Sequence, residues 1–305
     1  MRLSLYSLQL FVAVAEEGSI AAAADREHIA ASALSKRISE LERVIGTPLL
    51  LRKARGIETT EAGVILARGA RHLLHHADNL AAEVRDFATG TSGHVRVAAN
   101  LSSLTQFLAQ DLAAFGAAHP RIRIDVEERV SRVVTRMVLD NAADIGIFQA
   151  SEDEAQLELR PYRRDEMVLV APRGHPLAQS GGPVDFVDSL DHEHVGMHRG
   201  SAANYMLMRA AGAANRTLKM RFSMTSYDAM IAMIKAGHGI GLMPSRSVAL
   251  YDMNELVTIR LKDEWARRQL KLCTRPGETL TAAARLLLEH LAAGYQEEAG
   301  STPSA

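Results

Sequence analysis

The chain has 305 residues, 47% of them hydrophobic and 23% charged, with a formal net charge of −1. At roughly 150 residues per domain this is about two domains, with apolar material for a real core. No apolar run approaches the ~18–20 residues of a membrane span, so no membrane partner is expected. The single Cys273 rules out an internal disulfide and fits a reducing cytoplasm, the expected location.

The N-terminus is apolar, yet Leu8, Phe11, Val12 and Ala15 are spaced helically. Glu16-Glu17 stands where a leader peptide would carry a small-residue cleavage site, so a helix is expected there and not a signal peptide. Gly18 stops this helix, and Ser19 is placed to cap a short Ala-rich helix from Ile20 to about His28. A third helix is predicted over Ala31 to Ile45. Its Leu34, Ile38, Leu41 and Ile45 form one buried stripe, and Gly46 and Pro48 follow in terminating order. Three short helices with a tight second connection make a helix-turn-helix, and LLLRKARGIETT then suits a small basic wing.

A net charge near zero argues against a nucleic-acid partner, but the average hides a local excess. Residues 33–56 hold six cations, Lys36, Arg37, Arg43, Arg52, Lys53 and Arg55, against Glu40 and Glu42. Such a patch, not the total, is what DNA meets. The helix face opposite the buried stripe carries Ala31, Ser32, Ser35, Lys36 and Ser39. Little bulk, several hydroxyls and a long cation are what a helix entering a major groove needs. The candidate contacts to double-stranded promoter DNA are Ser32, Ser35, Lys36, Arg37, Arg52, Lys53, Arg55 and Thr60.

From Thr60 a long helix is predicted to about Ala88. Leu66, Ala70, Leu73, Ala77, Leu80, Val84 and Phe87 repeat at heptad spacing along it. A narrow seam beside charged residues suits a partner helix, which predicts a homodimer joined through Leu66, Leu73, Leu80, Val84 and Phe87 and reading paired half-sites. His72 and His76 stand one turn apart but lack a third ligand at metal spacing, so no metal is expected. GTSG at 90–93 reads as a linker. Beyond it strands and helices alternate, an α/β pattern: HVRVAAN, RIRIDVEE, ADIGIF, MVLVAP, HVGM, LKMRFSM and GIGLMP as strands, with helices between them and a terminal one over 279–293.

Enzyme motifs are missing: there is no GxSxG, P-loop or HExxH. Gly237, Gly239 and Gly241 read as a tight turn into a strand. Asp191-His192-Glu193-His194 reads as a loop of solvated polar groups, because adjacent residues of an extended chain point to opposite sides. Cys273 has no resolving partner. Neither catalysis nor a cofactor is expected.

These segments together resemble the LysR-type transcriptional regulators over about Leu5 to Leu291. The most specific are FVAVAEEGSIAAAA, IAASALSKRISELERVIGTPLLLR and TTEAG. Ala30-Ala31-Ser32 replace the family's common Ser-Gln-Pro, so position 31 offers no glutamine-type base contact. Lys36 stands where Arg is frequent, and Leu50-Leu51-Arg52 for the usual Phe-x-Arg. The later segments FLAQDLAAFGAAHPRIRIDVEE, NAADIGIF, VLVAPRGHPLA, AMIAMIKAGHGIGLMP and WARRQLKLC resemble the family's effector domain, which is like a type 2 periplasmic binding protein. The resemblance implies a winged helix-turn-helix over 1–60, a linker and dimerisation helix with hinge over 61–92, an effector domain over 93–295 and a flexible tail over 296–305. It further implies two Rossmann-like subdomains, about 93–162 plus 266–295 and 163–265, with a ligand in the cleft, and a tetramer and RNA polymerase as further associations.

In an open α/β sheet the carboxyl ends of the strands face the ligand crevice, and helix N-termini there suit an anion. Ser102, Ser103, Ser131, Ser201 and Thr225 sit at such strand-to-helix turns, with Phe148 as a candidate apolar wall and His198 as a candidate donor. Each hydroxyl alone is explained by N-capping; the set points to a small anionic effector, a carboxylate. Two readings stand: a ligand-responsive DNA-binding regulator, or a small-molecule-binding protein or enzyme whose N-terminal helices only dimerise. The basic wing favours the first.

Overall fold

A computed structural model describes residues 3–53, 56–89, 93–149, 154–276 and 280–300. The chain divides into two compact units, residues 1–93 together with the turn at 140–142, and the remainder from His94.

The first unit runs α1 (Leu5–Glu17), α2 (Ile20–Arg26), α3 (Ala31–Ile45), a hairpin of β1 (Leu50–Lys53) and β2 (Gly56–Thr59), and α4 (Glu61–Thr89). Leu8, Phe11 and Val14 of α1, Ala23 of α2, Leu34, Ile38 and Leu41 of α3, and Leu49 make one core, against which Ala67 and Ala70 of α4 pack. The helix ends follow from side-chain chemistry. Gly18 and Gly46 close α1 and α3 in the left-handed region, and the Ser19 hydroxyl accepts from the Ala22 N–H at the start of α2. α2 is two residues shorter than expected, with His28 turning the chain at φ +54°. Glu42, on α3, accepts from the backbone N–H of Leu49 at 2.8 Å and of Leu50 at 3.1 Å, pinning the wing to the helix before it.

The second unit begins with β3 (Gly93–Ala99) and α5 (Leu101–Ser103), which passes through a π-turn at Leu104–Leu108 into α6 (Ala109–Ala118). β4 (Ile122–Glu128), α7 (Ser131–Leu139), β5 (Ile145–Gln149) and β6 (Glu158–Pro172) follow. Next come α8 (Phe186–Ser189), β7 (His194–Met197), α9 (Ala202–Ala213), β8 (Met220–Met224), α10 (Tyr227–Lys235), β9 (Gly241–Pro244), α11 (Ser245–Val248) and β10 (Leu256–Arg260). β11 (Arg267–Thr274) and α12 (Ala282–Gly300) end the chain. The main sheet has the order β10-β6-β11-β5-β3-β4, with β9 also on β6, and β3 and β5 are parallel.

β6 organises this unit. Its first half pairs antiparallel with β11, from Glu158 opposite Thr274 to Glu166 opposite Arg267; its second half pairs with β9 and β10. One strand therefore serves two cores. Val95, Phe115, Ile145, Tyr162, Leu272 and Leu287 belong to the first, and Leu169, Val195, Leu207, Met230, Leu242 and Ile259 to the second. Only MVLVAP was expected as strand here. The preceding ELRPYRRDE reads as polar because its charges are satisfied by distant partners: Arg163 bridges Asp111 at 2.9 Å and Asp165 pairs with Arg268.

Two further expectations change, and the glycine turn before β9 is as expected. The tail expected from 296 is helical through Gly300 as the end of α12, and 301–305 lie outside the described residues. The 191–194 segment is not a wholly solvated loop. His194 begins β7, is 1% exposed, donates from Nδ1 to the His192 carbonyl at 3.1 Å and lies 3.3 Å from the Ser189 hydroxyl. The turn before β9 holds Gly239 at φ +139°, where a Cβ would stand 2.3 Å from the Glu193 carbonyl oxygen, so neither its dihedral nor its space admits a side chain. Among the described residues no group of three His, Cys, Asp or Glu is placed to hold a metal, and no helix is long and apolar enough to cross a membrane.

Candidate functional site

The first site is the exposed surface of α3 and the wing. α3 buries Leu34, Ile38 and Leu41 and leaves Ser32, Lys36 and Arg37 exposed, with Ser35 half-buried. The 3.6-residue period dictates this split, since a stripe at spacings of three and four leaves one opposite face free. Arg37 stacks over the Tyr6 ring at 5.1 Å, which fixes its guanidinium beside α1. Lys53 pairs with Glu58 across the hairpin, both side chains exposed. Arg52 pairs with Ile57 through its backbone, and Arg55 lies outside the described residues.

Thr60 departs from expectation. Its hydroxyl donates to the Pro48 carbonyl at 2.9 Å and accepts from the Gly63 N–H at 2.9 Å, so it caps α4 and ties it to the turn before the wing. The heptad stripe of α4 also divides. Ala70 is buried in the unit's own core and Leu66 packs against it, whereas Leu73, Leu80 and Val84 are 52%, 57% and 64% exposed. The side chain of Phe87 lies outside the described residues.

The second site is a cavity of about 50 Å³ between the two subdomains of the second unit. Ser102 and Ser131 line it from one side, and His198, Ser201 and Thr225 from the other. Ser131 begins α7, and Ser201 caps α9 by accepting from the Asn204 N–H at 3.1 Å. The Ser102 hydroxyl lies 3.1 Å from the Tyr227 hydroxyl across the cleft, and Thr105 and Ser247 make a second bridge at 2.8 Å. His198 uses Nδ1 to donate to the Arg199 carbonyl at 2.9 Å, leaving Nε2 for another partner.

Two expected residues are elsewhere. Phe148 is fully buried, packed with Ala98, Val134, Val138 and Cys273. It lies one residue before the end of β5, and strand alternation turns it toward α7 and away from the cleft. Ser103 is fully buried and donates to the Asn100 side chain at 2.6 Å, which satisfies the helix start. Sequence reasoning missed Asn100, Glu128, Arg129 and Tyr227, all on the cavity wall. Tyr227 could have been found: it follows Ser226, whose hydroxyl caps α10. Burial pushes its phenol upward, so it stays a neutral donor.

Behind the cleft a buried network joins the two crossing strands. Asp165 accepts from Arg268 Nε at 2.8 Å and from Gln106 Nε2 at 2.8 Å; Arg268 Nη1 reaches Gln149 Oε1 at 2.9 Å. Gln106 also donates to the Ser102 carbonyl at 3.0 Å, so cleft wall and hinge strands share one hydrogen-bonded set.

Comparison with known proteins is consistent along the chain. The model for the bacterial regulatory helix-turn-helix protein of the LysR family matches residues 5–64, and the LysR substrate binding domain matches 88–296. The chain belongs to the LysR family. It is a DNA-binding transcriptional regulator with a substrate-binding domain, and not an enzyme. Among curated relatives, it is 26% identical to the HTH-type transcriptional regulator CysL of Bacillus subtilis, covering 95% of this chain and 97% of that protein. It is also 26% identical to the RuBisCO operon transcriptional regulator of Allochromatium vinosum, covering 93% and 94%. Full-length CbnR complexed with its target DNA has the same fold, with a TM-score of 0.67 at 21% identity over 95% of this chain and 99% of that one. The effector binding domain of QuiR in complex with shikimate aligns at a TM-score of 0.61 and 17% identity, over 68% and 99%.

Proposed function

We propose that this regulator works in the cytoplasm as a homodimer on promoter DNA, and that a small carboxylate in the cleft sets its promoter binding or activation. The DNA contacts are assigned to Ser32, Ser35, Lys36 and Arg37 on α3 and to Arg52, Lys53 and Arg55 of the wing. Residues 61–92 join the two copies, and 93–295 bind the effector. The observation that carries the effector reading is the convergence of Ser102, Ser131 and Ser201, with Thr225 and Tyr227, on one cavity between subdomains. Hydroxyls at helix starts offer donors to a carboxylate, and no nucleophile–base pair accompanies them, so the site binds and does not turn over. Relatives support this reading: CbnR is seen with target DNA and QuiR with shikimate, itself a carboxylate.

The dimer rests on Leu73, Leu80 and Val84, an apolar heptad edge left exposed on a single chain. On this reading the dimer pairs into a tetramer and meets RNA polymerase at the promoter. An effector alters transcription only through different affinities for open and closed clefts, relayed along the 60–88 helix. The test joins calorimetry and footprinting. A Ser102→Ala, Ser131→Ala double variant is expected to lose effector affinity and keep operator binding; unchanged effector affinity overturns the cleft assignment. Sedimentation of full-length Leu80→Asp is expected to show weakened association.

A further inference from the structure

The cavity wall carries two formally charged side chains, Glu128 and Arg129, adjacent at the end of β4. They are not equally available. Arg129 pairs with Glu127 and donates from Nη1 to the Glu128 carbonyl at 2.9 Å. The Glu128 carboxylate, by contrast, has no ion pair or hydrogen bond among the described residues. The remaining polar wall is neutral hydroxyls, the Asn100 amide and the His198 ring. A carboxylate ligand lodged on the hydroxyls therefore meets an unpaired negative charge on the exposed rim of the same cavity. Like charges brought together as water leaves cost free energy that a positive group on the ligand removes.

We propose that the effector is a small zwitterion of the α-amino-acid class, its carboxylate held by Ser102, Ser131 and Ser201 and its ammonium group by Glu128. This rests on the carboxylate reading of the cleft and narrows it. The hydroxyls accept either end's hydrogen bonds, but only Glu128 distinguishes an ammonium from the hydroxyl or carbonyl of an otherwise identical acid.

Calorimetry on the full-length protein tests this with matched probes: the common L-α-amino acids, each beside the 2-hydroxy and 2-oxo acid of the same side chain and the primary amine lacking the carboxylate. At least one amino acid is expected to bind about tenfold more tightly than its hydroxy and oxo counterparts, equivalent to about 1.4 kcal/mol. Glu128→Gln is expected to erase that preference, and Glu128→Asp to retain most of it, both with the thermal midpoint of the parent because the side chain is exposed. A hydroxy or oxo acid binding as tightly as its amino acid overturns the zwitterion and leaves the carboxylate reading standing. An amine binding as tightly without its carboxylate overturns the carboxylate reading itself. A panel in which no amino acid binds, or a preference that survives Glu128→Gln, overturns the inference.

Discussion

The two units use charge in opposite ways. In the DNA-reading unit Lys53 and Arg37 lie exposed, Lys53 paired with the exposed Glu58 and Arg37 stacked over the Tyr6 ring. In the effector unit the decisive charges are inside: Asp165 and Arg268 have side chains 0% and 2% exposed and are held by Gln106 and Gln149. Surface charge is screened by salt and contributes little to folding, which leaves it free to answer phosphates. Buried charge is locked to its partner, and so it specifies how the crossing strands β6 and β11 meet beneath the cleft. In the first unit Arg37 and Lys53 face outward, while in the second the buried pair fixes its own geometry.

The contrast breaks first at Arg268. Arg268→Ala strands the Asp165 carboxylate, and the expected loss is about 3–5 kcal/mol of stability in urea unfolding. An Asp165→Leu, Arg268→Met pair removes both charges and is expected to recover most of that loss. If the single variant unfolds like the parent, the network is not what orders the hinge. His194 comes next. Burial, with the neighbouring His192 and His175 adding to it, lowers its pKa to about 4 from 6.5. The folded chain then binds fewer protons than the unfolded chain between those values. Stability is full above pH 6.5 and falls on acidification toward pH 4, by on the order of 3 kcal/mol. His175, also lowered by its own burial and by His192, steepens the same limb. His194→Asn should flatten it, and an unaltered acid limb in chemical denaturation would count against the assignment.

The same contrast explains what was legible in the sequence. The DNA-reading unit announces itself because its signals are local: a stripe of Leu34, Ile38 and Leu41, a glycine at each helix end, a cap at Ser19. The hydroxyls of the cleft were legible for a similar reason, since Ser102, Ser131 and Ser201 stand at helix starts. What stayed hidden depends on register between distant segments. Nothing near Asp165 in sequence points to Arg268; only the pairing of β6 with β11 sets them opposite each other. Phe148 looked like a cleft wall because it ends the ADIGIF segment, and only its side of the sheet decides that it packs on Val134 and Cys273. Tyr227 reaches Ser102 from 125 residues away.

Thr60 sharpens the contrast at a smaller scale. It lies beside the basic wing and reads as a DNA contact, yet its hydroxyl is used twice within the fold. Thr60→Ala is expected to cost about 1 kcal/mol of stability, the usual worth of a cap. Its operator affinity, measured well below the unfolding midpoint, should equal the parent's. A weakened affinity with an unchanged midpoint would return Thr60 to the DNA-facing set.

Lys36 is the converse and has the smallest expected effect on the fold. It is exposed on α3, one turn after Ser32, with no ion-pair partner among the described residues. Lys36→Ala should therefore change stability by no more than about 0.5 kcal/mol. A cation that meets a phosphate releases a bound counterion, so its removal should lower the slope of log affinity against log salt by about one unit. A cation that instead reads a base edge would leave the slope nearly intact and relax preference at one operator position. Binding isotherms over a salt series, on the operator and on single-base variants of it, separate these outcomes. Binding equal to the parent's at every salt concentration would remove Lys36 from the interface and move the docking face toward Arg37 and the wing.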